Sequence, residues 1–355
     1  MSLIEKVLSI ETSCDDTSVA IVGKEGWVYS VVSAAQDEFH QPFGGIVPEI
    51  AGRNHSLALL PLVNLAFEKA NMNWSDINGI VCTNRPGLVG SLIVGVVTAK
   101  SYAQVSGLPL LGVNHLEGHI LAPFLKDAQY APPPDFQFPF LCLAVSGGHS
   151  SLYLVHELGK YEVLGETLDD AAGEAFDKFA KMLGLGWPGG VKVDQLAKTG
   201  NIKAYDFPRS MIKEENYMMS FSGLKSSAQR LLNQFTSEQI QQQLPDLCAS
   251  FQEAIVDVLL AKLDRAVKKL KIKRVSITGG VSANSRLRVR SQEWADKNKI
   301  QMVIPPIRYC TDNAAMIGLV GIHRMNKGEF HELNMGPSPQ SLAHDFIALS
   351  EVKRK

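Results

Sequence analysis

The sequence predicts a two-lobed α/β protein with a mixed sheet in each lobe. Three observations point there. A strand–turn–strand unit at residues 7–22 is matched by a second at 140–155. A strand–glycine–helix unit at 77–103 is matched by another from 274 onward. The chain has 355 residues, 45% of them hydrophobic, enough for two cores of ordinary domain size. Repeated units of this kind suggest duplicated halves that clamp a ligand in an interlobe cleft. Two unrelated α/β domains with ordinary glycine turns fit the same spacing equally well.

In order along the chain, residues 7–13 (VLSIETS) read as a strand and 18–22 as its return. The turn between them holds Cys14, Asp15, Asp16 and Thr17, so its tip is acidic and rich in hydroxyls. Residues 77–83 form a strand, Arg85-Pro86-Gly87 a turn, and 89–103 a helix rich in small residues. That helix suits close packing on another, inside the chain or across an interface. The proline-rich stretch 129–139 is a surface connector. Residues 140–145 form a buried strand, Ser146-Gly147-Gly148-His149 its turn, and 150–155 its return. Residues 274–277 lead through Thr278-Gly279-Gly280 into a helix from about Ser282. Helical patterns also cover 171–183, 237–270 and 314–326, the last crossing back to complete the first lobe. After Met335 periodicity is weak, and the chain ends on Lys353, Arg354 and Lys355, the pattern of a disordered tail.

Charged residues make up 20% and the formal net charge is -1, which excludes a globally basic nucleic-acid binder but not a local basic patch. The five cysteines (Cys14, Cys82, Cys142, Cys248, Cys310) are scattered and contain no CxxC pair. They form neither a disulfide framework nor a zinc ribbon, and favour a reducing compartment. Glu5 and Lys6 interrupt what would be a signal core, and the apolar run 88–97 is too short for a bilayer. The expectation is a soluble, cytoplasmic protein.

The sharpest local signal is Asn114-His115-Leu116-Glu117-Gly118-His119. Histidines at i and i+4 share one helix face and can reach one ion; they can equally cap or pack a helix. In the zinc-protease HExxH motif the glutamate follows the first histidine directly. Here Glu117 lies two positions on, about 200° around the helix, and faces away. Asp312, in Tyr309-Cys310-Thr311-Asp312-Asn313, is the best third ligand. Such a His/His/carboxylate set with open positions suits a Lewis-acid or iron site.

The Ser146–His149 turn offers backbone N–H groups suited to phosphate or an oxyanion. Thr278-Gly279-Gly280-Val281, with Asn284 following, suits a nucleotide's phosphate and ribose, and Gly189-Gly190 makes a third close-approach turn. Asp177 and Asp194 can accept ribose hydroxyls; a solvated or helix-N-terminal carboxylate is the plainer reading of each.

Together these residues resemble the tRNA adenosine threonylcarbamoyltransferase family (bacterial TsaD, formerly glycoprotease). The matching stretches are IETSCDDTSVAIV, FGGIVPEIAGRNH, PGLVGSLIVG, NHLEGH, SGGHS, DDAAGEAFDK, WPGG, SFSGLK, TGGVSANSRLR and CTDNAAMIG. They run in the family's order from residue 10 to about 318. The resemblance implies an actin/hexokinase/Hsp70-like (ASKHA) fold, with lobes at 1–114 plus about 310–335 and at 115–309, and a tail at 336–355. It implies one divalent metal, iron before zinc, on His115, His119 and Asp312. It implies a substrate site of Val145, Ser146, Gly147, Gly148, His149, Asp177, Gly190, Asp194 and Asn284, faced by Asp15 and Asp16. Arg85, Asp16, Ser150, Lys192, Val193, Trp187 and Gly318 depart from the family's usual choices without removing a ligand.

The implied reaction moves threonylcarbamoyl from threonylcarbamoyl-AMP to the N6 amine of adenosine 37 in tRNAs reading ANN codons, releasing AMP. Asp15 or Asp16 is the candidate base. The implied partners are tRNA, an ATP/AMP-type nucleotide, a similar subunit (TsaB type) pairing with the first lobe, and an ATPase subunit (TsaE type), with no membrane. For tRNA, a basic run of Lys262, Arg265, Lys268, Lys269, Lys271, Lys273 and Arg274 continues with Arg286, Arg288 and Arg290, while Arg53 and His55 stand nearer the expected cleft. A solvated helix face explains the same run. Rival readings are a metalloprotease, a sugar or acetate kinase, and a non-enzymatic nucleotide-binding subunit.

Overall fold

The structure is a computed structural model that describes residues 3–347. It divides into two compact units. One holds the chain up to Asp135 together with Pro305–Phe346; the other holds Phe136–Ile304.

The first unit opens with β1 (Lys6–Glu11), β2 (Thr17–Gly23) and β3 (Val28–Ala34), followed by α1 (Asp37–His40) and α2 (Pro48–Ala70). Then come β4 (Gly79–Arg85), α3 (Val89–Ser106), β5 (Leu110–Asn114) and α4 (His115–Leu121). The sheet order is β3-β2-β1-β4-β5. β1 pairs antiparallel with β2 and parallel with β4, and β4 pairs parallel with β5. Val7, Leu8 and Ile10 are fully buried. Consecutive buried residues, Ser9 among them, mark a strand covered on both faces.

The second unit contains β6 (Phe140–Val145), β7 (Ser150–Glu157), β8 (Lys160–Glu166), α5 (Ala172–Met182), α6 (Gly189–Ala197) and α7 (Ser222–Leu232). It continues with α8 (Ser237–Leu270), β9 (Arg274–Thr278), α9 (Ser285–Asn298) and β10 (Gln301–Val303). Its sheet order is β10-β9-β6-β7-β8, with β6 antiparallel to β7 and parallel to β9. This repeats the first sheet strand for strand, so the duplicated units read in the sequence are two copies of one topology. Phe179 stacks on Phe251 at 3.9 Å, with Phe207 edge-on to both, at the centre of this core. The chain then returns to the first unit as α10 (Ala314–Asn326), which packs on β1 and β2.

Three expectations need correction. The first lobe was expected to end at residue 114, but the chain changes units within the proline-rich connector, at 135/136. α4 stays with the first unit because it packs on α10 and Glu117 pairs with Arg324 there. The helix expected from Ser282 starts at Ser285, after a 3-10 turn at Gly280–Ala283, and Asn284 is its N-cap. The tail expected after Met335 is held in place as far as Asp345, which is 4% exposed and bound by Arg85. Lys353, Arg354 and Lys355 lie outside the described residues.

Candidate functional site

In the first unit the carboxyl ends of parallel β1, β4 and β5 carry the chemistry. This end of an α/β sheet is where such folds bind ligands. Asn114 ends β5, and its side chain accepts a hydrogen bond from the Leu116 N–H, starting α4 with His115 as its first residue. Asn313 caps α10 in the same way through the Met316 N–H, which fixes Asp312 just before it. One ligand atom each from His115, His119 and Asp312 lies within 4.8 Å of the others. His119 Nε2 is 3.1 Å and His115 Nε2 3.4 Å from Asp312 Oδ1.

Glu11 was missed by the sequence reasoning. It is fully buried at the end of β1 and sits 2.9 Å from His115 Nδ1. Thr83 donates to its Oε2, and the Ser13 N–H to its Oε1. A carboxylate on one ring nitrogen fixes the tautomer and turns the other nitrogen toward an ion. The signal was present: Glu11 is an acidic residue directly after the mostly apolar run Val7–Ile10. Burial works against a charged His115, but Asp312 and Glu11 outweigh it and raise its pKa well above the ordinary value. Burial likewise opposes a charged Asp312, yet His115 and then His119 hold its pKa far down. The residues present fit a divalent cation: two buried imidazoles and a carboxylate converge, and one imidazole is oriented from behind.

Glu117 points elsewhere. It is buried and takes a two-pronged contact from Arg324 of α10. This geometry removes it as a protease base. Arg324→Met removes the cation paired with the buried Glu117, and an expected loss of about 3 kcal/mol is measurable by urea unfolding.

The hairpin tip with Asp15 and Asp16 belongs to the same unit. His55, proposed above for tRNA, is instead fully buried beneath it. Its Nδ1 is 2.7 Å from Thr17 Oγ1 and its Nε2 3.0 Å from the Cys14 carbonyl oxygen. On the other side, Leu88 N–H donates to the Ser13 carbonyl; Gly87 is required there because a Cβ would stand 2.4 Å from that oxygen. Burial, opposed in part by hydrogen bonding from Cys14, raises Asp15 to about 6. Burial, then repulsion from Asp312, Asp15 and Asp37, raises Asp16 to about 8. The folded protein therefore keeps the Asp16 proton at pH values where the unfolded chain has lost it. The stability Asp16 contributes falls as pH rises from about 4 to about 8. Asp16→Asn has no such term. Urea unfolding of chelator-treated protein is expected to show the variant gaining on wild type across that window and levelling off above it.

In the second unit the matching strand ends carry the glycine turns. The Ser146 N–H donates to the His149 carbonyl, and the His149 N–H to Ser146 Oγ, closing the turn after β6. Among the described residues, the Gly147 and Gly148 N–H groups have no backbone acceptor, and nothing lies within 4 Å of where a Cβ would stand on either. Beside it, Gly279 follows β9 at φ +85, and a Cβ there would meet the Val145 carbonyl oxygen at 2.4 Å. Asn284 caps α9 through the Leu287 N–H and donates to Gln252. Asp177 accepts from the Gly189 and Gly190 N–H groups, and Asp194 from the Ser285 N–H and hydroxyl. Both carboxylates thus serve helix N-termini, the plainer of the two roles weighed for them.

The basic run is largely used up within the fold. Lys262 is fully buried, its ammonium on the Glu214 and Asn216 carbonyls, and Arg265 reaches the Asn216 and Ile212 carbonyls. Lys268 pairs with Asp264, Arg286 and Arg290 with Glu253, and Arg53 with Glu49. Lys269, Lys271 and Lys273 remain exposed.

A family model described as TsaD, tRNA N6-adenosine threonylcarbamoyltransferase, matches residues 28–319. A protein of that name from Bdellovibrio bacteriovorus is 68% identical over 97% of this chain and 100% of its own length. Another from Anaeromyxobacter dehalogenans is 47% identical over 91% of this chain and 95% of its own. Among solved structures, HypF of T. kodakarensis aligns at TM-score 0.60 and 13% identity, covering 92% of this chain and 49% of that one. The ADPNP-bound activator of 2-hydroxyisocaproyl-CoA dehydratase from Clostridium difficile aligns at TM-score 0.50 and 13% identity, covering 92% and 99%. These structural likenesses bear on the fold alone, an α/β architecture of two units.

Proposed function

The chain belongs to the TsaD family of tRNA N6-adenosine threonylcarbamoyltransferases, and from that premise we propose how its own residues divide the reaction. It moves the threonylcarbamoyl group from threonylcarbamoyl-AMP to the N6 amine of adenosine 37 in tRNAs reading ANN codons. The amine forms the new C–N bond, the bond to the phosphate oxygen breaks, and AMP leaves with that electron pair.

The observation that carries this reading is the convergence of His115, His119 and Asp312, with Glu11 behind His115. His115, His119 and Asp312 would hold a divalent cation, iron(II) before zinc, which would supply Lewis-acid polarisation of the transferred carbonyl. Glu11 holds the imidazole proton on His115 Nδ1. Asp15 or Asp16 accepts the proton of the attacking amine; in the metal-free chain Asp15 is the less raised of the two, to about 6 against about 8. In the second unit, the Gly147 and Gly148 N–H groups are donors suited to an oxyanion or phosphate. Val145, Ser146, His149 and the Gly279 turn with Asn284 seat the AMP portion. Asp177 and Asp194 position the Gly190 corner and the start of α9.

Exposed Leu57 and Leu60 on α2 and Ile93 and Val97 on α3 support docking of a TsaB-type subunit on the first unit, with a TsaE-type ATPase joining. Five free cysteines and a tRNA substrate favour the cytoplasm. No described helix is long and apolar enough to cross a membrane. The test supplies purified protein and its partners with labelled threonylcarbamoyl-AMP and unmodified ANN-decoding tRNA. Label on the tRNA with stoichiometric AMP is expected. ATP-dependent phosphorylation of a small molecule without label transfer would favour the kinase reading instead.

A further inference from the structure

We propose that Arg85, Asp345 and Asn114 form a latch by which residues 336–346 fix the orientation of the metal-binding helix α4. The inference rests on the reading that His115 and His119 hold the cation. The chain reaches this segment along the β5 edge of the first sheet. His331 bridges to Leu110 of β5, and the Ser338 N–H donates to the Asn84 carbonyl at 2.8 Å. It ends on Asp345, which is buried and tightly bound.

Asp345 accepts from Arg85 Nε at 2.8 and 3.1 Å and from the Leu342 N–H at 2.7 Å. Its Oδ2 also accepts from Asn114 Nδ2 at 2.9 Å, and Ser341 Oγ accepts from the same nitrogen at 2.9 Å. Arg85 is 6% exposed and also donates to Asn84 Oδ1 at 2.7 Å. The Asn114 amide is therefore held from its nitrogen side. Its oxygen can only face the Leu116 N–H, which it caps at 2.8 Å. A flipped amide would set N–H against N–H on the helix side and oxygen against carboxylate on the other. α4 has seven residues, too few to be stable alone, so its direction depends on this cap and on packing. Both imidazoles sit on it, and a small rotation at the cap moves both away from Asp312. Arg85, Asp345 and Asn114 are positioning residues, acting on the ion through α4.

The test uses full-length protein and cobalt(II) as the probe, read by its absorption spectrum. Arg85→Met/Asp345→Leu removes both charges together, so no lone charge is left buried. The double variant is expected to fold and to bind cobalt ten- to a hundredfold more weakly, the usual effect of losing a residue that orients metal ligands. Ser338→Ala, in the same segment but away from Asn114, is expected to bind as wild type does. Should the double variant fail to fold, Asp345→Asn is judged by the same criterion. A folded variant binding within twofold of wild type overturns the latch and leaves the metal reading standing. Equal cobalt binding by wild type and His115→Ala overturns the metal reading, and the latch with it.

Discussion

Replacing His115 or Asp312 with alanine is expected to remove the bound cation and lower threonylcarbamoyl transfer by about a thousandfold. Transition-state charge stabilisation by a bound metal is worth several kcal/mol, and each 1.36 kcal/mol is a factor of ten in rate, which gives roughly that loss. Among the described residues the set has three protein donors, so each one matters. His115→Ala also strands Glu11, whose carboxylate is fully buried. Glu11→Gln is the milder companion: it keeps a hydrogen-bond acceptor behind the ring and is expected to weaken metal binding ten- to a hundredfold without eliminating it. Metal content by elemental analysis and single-turnover transfer, measured on the same preparations, check both. Alanine variants that lose metal but keep wild-type transfer would separate the ion from the reaction.

Changing Asp15 and Asp16 together to asparagine is expected to lower transfer by about 10²–10⁴-fold and leave metal content unchanged. Neither residue is among the three converging ligands. An aryl-type amine is a weak nucleophile, so a base in place at the attack matters. Of the two, Asp15 is the less raised in the metal-free chain, to about 6 against about 8, and so the more readily ionised. Asp15→Asn alone is therefore expected to carry most of the loss. Wild-type transfer is expected to rise with pH and then flatten, with its midpoint at or below about 6, because the base works only when ionised and a bound cation lowers a nearby carboxylate. A full loss in Asp16→Asn with a near-normal Asp15→Asn would move the role to Asp16.

The parts of this site legible in the sequence were those with short-range spacing. His115 and His119 are one helical turn apart, and the two glycine turns each follow an apolar strand, so their type and place could be read locally. The repeated strand–turn–strand units likewise carried the duplicated topology. What stayed hidden depends on contacts far apart in sequence. Glu11 meets His115 across 104 positions, and Arg85 meets Asp345 across 260. Neither pairing leaves a trace in periodicity. The basic run was overread for the same reason. Lys262 and Arg265 face the carbonyls of a loop some fifty residues earlier, which turns apparent surface charge into internal support. His55 was read only as standing near the expected cleft; burial beneath the Asp15–Asp16 tip gives it a structural task instead.

The most direct test of the metal-assisted reading is a reconstitution titration. Chelator-stripped protein, with its partners, threonylcarbamoyl-AMP and unmodified tRNA, receives iron(II) anaerobically, or zinc, in substoichiometric steps. Transfer is expected to rise linearly and break at about one ion per chain, with His115→Ala flat throughout. Full transfer by stripped protein before any ion is added would contradict the central claim.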